Sequence, residues 1–156
     1  MIPSPRYQRP STRSKRAKAT PPAIRPAEPR DLDAVAQLAE EADMGTLSDR
    51  GLTYVAEQDG ALVGFIRLLE DEGQWYVNPV VVAEGHRRQG IGQALMAFAH
   101  DRYGELRFVA RGSAVPFYEA LGCHRVPWEA IASLVADDCD DCGMRESCHP
   151  LPMALA

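Results

Sequence analysis

Apolar residues recur along this chain with two alternating periods, the two-residue period of a strand and the 3.6-residue period of a helix. Ala23-Ile24-Arg25 predicts a short first strand. Glu28-Pro29-Arg30-Asp31 then opens a helix that carries Leu32, Val35, Leu38 and Ala39 on one face, which belongs to the core. Pro29 near its start and the acids in its first turn suit the capping and dipole preferences of a helix N-terminus. The runs 52–58 and 61–69 read as strands separated by Asp59-Gly60, a hairpin signal. The run 75–82 is rich in aromatic and β-branched residues and completes a three-strand antiparallel meander. Asn78-Pro79 interrupts it, because proline removes a ladder donor. Past residue 90 the period becomes helical, with Ile91, Leu95, Met96 and Phe98 near one face as far as about Tyr103. A strand over 106–110, a helix over 113–121 ended by Gly122, and a strand in the 126–135 region complete the pattern.

Between the strand 75–82 and the helix that follows lies Arg87-Arg88-Gln89-Gly90-Ile91-Gly92, joined to the strand by a turn containing Glu84, Gly85 and His86. A strand, loop and helix in this order aims the free N–H groups of the first helical turn at one point, with arginines nearby, as a pyrophosphate requires. The glycines let a ligand approach the backbone closely. A short Gly-x-Gly at a helix start is by itself a weak signal, since most such pairs are tight turns. The surrounding order adds to it: a strand ending in Val82, then Arg87-x-x-Gly90-x-Gly92, a second strand, then Phe117-Tyr118-Glu119-Ala120-Leu121-Gly122.

This order resembles the acyl-CoA-binding half of the GNAT acetyltransferases, whose Arg/Gln-x-x-Gly-x-Gly/Ala and Phe-Tyr-Glu-x-Leu-Gly elements both occur at the usual separation. The resemblance covers about residues 23–135. It implies an α/β fold with a mixed, mainly antiparallel sheet flanked by helices and splayed after the fourth strand, so that a pantetheine arm can enter. It implies acetyl-CoA as cosubstrate, bound by backbone groups of Val80, Val81 and Val82 and by Arg87, Arg88, Gln89, Gly90, Ile91 and Gly92. Tyr118 is then implied as the acid that protonates the departing thiolate; the reading from residues alone is a core aromatic with its hydroxyl satisfied. Many family members have Pro where this chain has Glu84, Gly where it has Arg88, and Asn near Arg111. Arg111 could meet an anionic ligand, but a lone arginine at a strand end reads better as solvated or structural. The family often places its base on the central strands, and 75–82 contains no carboxylate. Glu70, Asp71, Glu72, Glu84 and His86 lie in adjacent turns without standing out, and a water chain or an already deprotonated amine would suffice.

The 156 residues, 46% hydrophobic, suit one globular domain. No apolar run reaches the roughly 18 residues of a spanning helix, which excludes a membrane role, and the N-terminal stretch lacks the apolar core of a secretory signal. Residues 1–30 carry eight Lys or Arg and one acid, leaving nine against 21 in the remainder. Residues 1–22 therefore read as a disordered, basic, proline-rich tail preceding a domain over 23–156. Contact with nucleic acid is expected only through that tail. Prolines at 3, 5, 10, 21 and 22 oppose the amphipathic helix of a transit peptide.

Four cysteines without a signal segment point to a reducing cytoplasm, where such residues are thiols or metal ligands more often than disulfides. A Cys-rich insert at about 136–149 holds Cys139, Cys142, Cys148 and His149, spaced as part of a zinc or iron–sulfur site, with Cys123 as another candidate ligand. The competing reading is reduced thiols on an irregular loop. The run 149–153 also looks like the final strand of small acetyltransferases. The sequence is thus read as an N-acetyltransferase that passes an acetyl group from acetyl-CoA to a primary amine of a small molecule or protein by direct attack. Its acidic body favours a cationic acceptor, and a homodimer is a candidate assembly. The alternative is a catalytically weak acyl-CoA-sensing or nucleic-acid-associated module with a metal-binding insert.

Overall fold

The computed structural model describes residues 21–140 and 145–156. The predicted basic tail lies almost wholly outside them, as does Cys142. Seven strands, β1 (Ala23–Pro26), β2 (Leu52–Gln58), β3 (Ala61–Asp71), β4 (Gln74–Val82), β5 (Leu106–Ala110), β6 (His124–Arg125) and β7 (Leu151–Leu155), form one sheet in the order β1-β2-β3-β4-β5-β7-β6. The helices are α1 (Leu32–Glu41), α2 (Ile91–Tyr103), α3 (Val115–Ala120), α4 (Ser133–Asp140) and α5 (Arg145–Cys148). No described helix is long and apolar enough to cross a membrane.

The meander forms as the hydrophobic pattern predicts. Asp59 and Gly60 both take left-handed backbone, φ 53° and 80°, and Glu72 and Gly73 do the same at the β3–β4 turn, φ 49° and 82°. Two consecutive left-handed residues give a turn whose twist matches that of the strands it joins. The strands pair antiparallel except β4 with β5, which pair in parallel only at Trp75–Leu106, Tyr76–Arg107 and Val77–Phe108. Beyond Val77, β4 runs on to Val82 and β5 to Ala110 without pairing to each other, so the sheet opens between them. The β3–β4 register slips opposite Asn78-Pro79, the predicted interruption, where the peptide bond is cis.

Each face of the sheet is covered differently. On one, Ile91, Leu95, Met96 and Ala99 of α2 and Val115 of α3 pack with Tyr54, Ala56, Val63, Ile66, Leu68 and Phe108. Gly64 permits the close packing there, since a Cβ would stand 2.7 Å from the Val81 carbonyl and 3.4 Å from Ile91 and Leu95 side-chain atoms. On the other face, Val35, Leu38 and Ala39 of α1 meet Val55, Phe65 and Val81, while Ile131 and Val135 meet Leu69 and Tyr76. Asp31 fastens β1 to α1: both its oxygens accept from Arg25, at 2.7 and 3.1 Å, and one also accepts from the Glu28 N–H at 2.7 Å. Arg25 thereby holds the Asp31 carboxyl down at about 2.

Three expectations need correction. Leu32 is 59% exposed and does not join the α1 core face, because the chain there is just leaving the tighter turn Pro29–Asp31. The 126–135 region is not a strand: the short strand is His124–Arg125, and a turn at Trp128–Ala130 leads into α4. The Tyr76 hydroxyl decides this locally, accepting the Ala132 N–H at 3.1 Å and donating to the Ala130 carbonyl at 3.3 Å. Finally, His149 precedes the last strand, which starts at Leu151; it takes left-handed backbone, φ 50°, where the chain turns into β7.

Candidate active site

The loop leading into α2 has the geometry its glycines suggested. Arg87, Arg88, Gln89 and Gly90 are all exposed, and Arg88 and Gly90 turn left-handed, φ 66° and 80°. Gly90 is the residue before α2, and the first intrahelical bond runs from the Ala94 N–H to its carbonyl at 2.9 Å. Ile91, Gly92 and Gln93 are therefore first-turn donors without helical acceptors, and no side chain caps them. Gly92 is buried against Phe117, whose Cζ would lie 3.1 Å from an added Cβ. Arginines 87 and 88 flank this turn, so an anion placed here meets oriented amides and two cations.

The opening between β4 and β5 is the mouth of a cavity of about 1100 Å³. Val80 lines it. Val81 instead packs with α1, and Val82 packs against the α2 cluster. Tyr118 lines the cavity from α3, its ring 4.5 Å from that of Phe108 and 5.0 Å from that of Phe117. Burial, together with nearby Cys123, pushes its hydroxyl well above the ordinary phenol range, so it is protonated at neutral pH. The Cys123 thiol is itself pushed up by burial to about 11 and makes no disulfide.

Arg111 is structural, as its position suggested, and more specifically so. Its Nη2 donates to the carbonyls of Ala42 and Asp43, at 2.6 and 3.0 Å, and lies 3.4 Å from the Met44 sulfur. Those are carbonyls at the C-terminal end of α1, so a cation from β5 caps a helix on the far side of the opening. Of the acids and histidine considered as a base, none lines the cavity; Glu70 and Asp71 line an adjoining surface depression near Trp75 that shares Arg50, Leu69 and Leu134 with it. The carboxylates that do line the cavity are Asp43, which with Glu40 and Glu41 reads from sequence as a solvated helix end and not as a metal site or base, and Asp138, which reads as one of the acids solvating the Cys-rich insert. For Asp138 a signal was present: it follows Val135 by three residues, the spacing of one helix face, but only if 133–140 is read as helix. Arg67 was missed as well, a guanidinium 5% exposed within the core of β3.

Cys139, Cys148 and His149 all line the same cavity. Among the described residues no group of three or more His, Cys, Asp or Glu could hold a metal ion, and Cys142 lies outside them. The chain from Cys148 to His149 packs on Gly112, where a Cβ would stand 3.1 to 3.2 Å from its atoms.

Comparison with known proteins places this geometry. Residues 49–122 match the model of the GNAT acetyltransferase domain, a span holding the meander, the turn that opens α2 and Tyr118. Over that span, just under half of the chain, the sequence is similar to the GNAT acetyltransferases. Among curated relatives it is similar to the peptidyl-lysine N-acetyltransferase YiaC of Escherichia coli, 34% identical over 76 residues, 47% of this chain and 50% of that protein. It is also 34% identical over 86 residues to the mycothiol acetyltransferase of Thermomonospora curvata, 54% of this chain and 29% of that one. The chain thus spans half or less of the length of the curated relatives it matches. In fold it resembles the N-acetylglutamate synthase of Neisseria gonorrhoeae, solved with coenzyme A and N-acetyl-glutamate, with a TM-score of 0.65 at 17% identity over 85% of this chain and 34% of that one. The GNAT fold here is the mixed, mainly antiparallel, splayed sheet that the sequence implied. The matched span stops before α4 and β7, so the cysteine-rich segment lies beyond it.

Proposed function

We propose that this protein is a GNAT acetyltransferase, which transfers an acetyl group from acetyl-CoA to a primary amine within a ternary complex. The observation that carries the reading is the opening between β4 and β5 into a cavity lined by a protonated tyrosine, with the uncapped first turn of α2 following β4 in the chain. The amides of 91–93 with Arg87 and Arg88 would hold the pyrophosphate. The free edge of Val80–Val82 would hydrogen-bond the pantetheine, and the thioester would reach Tyr118.

Chemistry then follows from what the residues can supply. A neutral amine attacks the thioester carbonyl, forming a C–N bond, and collapse of the addition product breaks the C–S bond. The nitrogen gives its extra proton to water, and the thiolate takes the phenolic proton of Tyr118. Desolvation keeps the hydroxyl protonated and able to donate; because it also makes the phenol a weaker acid than a thiol, the proton moves in concert with C–S cleavage, and the phenolate then recovers a proton from the water that took one from the amine.

Isothermal titration of acetyl-CoA into the parent and into an Arg87→Ala, Gly90→Ala double variant tests the site. Saturable binding by the parent and its loss in a folded variant is the expected result. Absence of binding by the folded parent would overturn the reading. Tyr118→Phe should keep acetyl-CoA affinity while kcat falls on the order of 10²-fold or more, as for loss of a proton donor.

A further inference from the structure

On β3, Phe65, Arg67 and Leu69 alternate onto one face of the sheet. Phe65 packs in the α1 cluster and Leu69 in the α4 cluster, so Arg67 occupies the interval between two apolar groups. Its donors are met by neutral oxygens: Nε by the Asn78 carbonyl at 2.6 Å, Nη1 by the carbonyl and hydroxyl of Ser48 at 2.9 and 2.8 Å and the Arg50 carbonyl at 3.2 Å, and Nη2 by Asn78 Oδ1 at 3.0 Å. No carboxylate lies within ion-pair distance of it among the described residues. A guanidinium only donates, so it fixes which end of the Asn78 amide it faces. The amide nitrogen is left pointing the other way, and it donates to Asp138 Oδ2 at 3.4 Å. Buried cation, amide and carboxylate thus form one relay running from β3 through the β4 irregularity to α4.

The relay fixes a carboxylate on a wall of the cavity. Val135, 2% exposed, anchors α4 to Leu69 and Tyr76, and Asp138 lies one turn further along the same side of the helix. Asp138 itself is exposed and spends one oxygen on Asn78. Around it the cavity is lined by Met44, Leu47 and Leu134. Of the other charged or titratable groups on the lining, Arg50 contributes an exposed guanidinium, Arg111 is turned onto the carbonyls of Ala42 and Asp43, Arg67 is buried, Asp43 adds a second negative charge, and His149 borders the cavity near Cys148.

Resting on the acetyl-transfer reading, we propose that Asp138, oriented by Arg67 through Asn78, is the specificity carboxylate that draws a cationic amine with an adjoining apolar portion into the acceptor end of the cleft. It lies outside the span that matches the family domain, so it would be this chain's own contribution to acceptor choice. Acceptors dominated by negative charge are disfavoured by the same group.

The test uses the full chain, acetyl-CoA and a fixed panel: spermidine, tyramine, a lysine-containing peptide amide and glutamate. The parent should acetylate cationic members in preference to glutamate, with acceptor kcat/KM falling as salt rises. Asp138→Asn should raise the KM for cationic acceptors tenfold or more, leave the KM for acetyl-CoA within about twofold, and flatten the salt dependence. Asp138→Ser, which cannot imitate the carboxylate shape, should do the same. A merely structural role would not single out charged acceptors or change the salt slope. Unchanged acceptor KM and salt dependence in both variants overturns the inference and leaves acetyl transfer standing. A preference for glutamate also overturns it alone. A parent that binds acetyl-CoA but acetylates no member of the panel overturns the acetyl-transfer reading and this inference together.

Discussion

Two glycines at the start of α2 are constrained for different reasons, and their substitutions should fail differently. Gly90 has open space around it but φ of 80°, so Gly90→Ala meets backbone strain and no collision. Gly92 has helical backbone and a neighbour, so Gly92→Ala presses on the Phe117 ring, which is 42% exposed and able to give. We expect Gly90→Ala to cost about 1 kcal/mol or more of stability in urea titration, and Gly92→Ala to be milder for stability while weakening acetyl-CoA binding. Equal loss of stability in both would contradict this assignment. Both glycines were legible in the sequence as a motif; which one needs its φ and which its bareness was not, because that depends on a residue 25 positions later along the chain.

At the scale of elements, the strands of the meander were legible to within a few residues, because hairpin turns and alternating apolar residues are local signals. The α4 region was not. Its apolar residues Ile131, Leu134 and Val135 fit a strand or a helix equally well, and what selects helix is the Tyr76 hydroxyl on a strand some 55 residues earlier. The same nonlocality hid the site: Arg67 and Asp138 sit 71 residues apart in sequence and meet through Asn78. Two predictions belong here. Leu95→Ala, at a side chain with no exposure on α2, should destabilise the protein by about 3 kcal/mol in denaturant unfolding, the range for a leucine truncated in a tight core. Arg111→Ala uncaps α1 from across the opening. Its effect should appear as faster amide hydrogen exchange over 42–48, with little change in α2, and unaltered exchange there would remove the bracing role.

For the whole molecule, acid sensitivity should centre on the β1–α1 junction. Asp31 has its carboxyl held at about 2 by Arg25, below its ordinary value of 3.8, so the folded state favours the charged form. That contribution is fully present above about pH 4 and is lost as pH falls from there toward 2. Asp31→Asn should therefore lower Tm at pH 7 and narrow the gap from the parent as pH drops through that window. An undiminished gap at pH 2 would exclude the assignment. Cys123, raised to about 11, should react slowly with alkylating reagents at neutral pH until the chain unfolds, since the thiolate is the reactive form.

The opening between β4 and β5 also makes the ligand-free protein incomplete in another sense. An ordinary sheet exposes backbone only at its two outer margins, whereas this one carries two further unpaired margins in its interior, along 78–82 and 109–110. Unpaired strand margins are templates for other chains. If pantetheine lies along β4 it behaves as a missing strand, so acetyl-CoA should act as a solubility factor as well as a cosubstrate. Heated without it, the protein should scatter light at a lower temperature than its unfolding midpoint predicts; with saturating acetyl-CoA the two temperatures should converge.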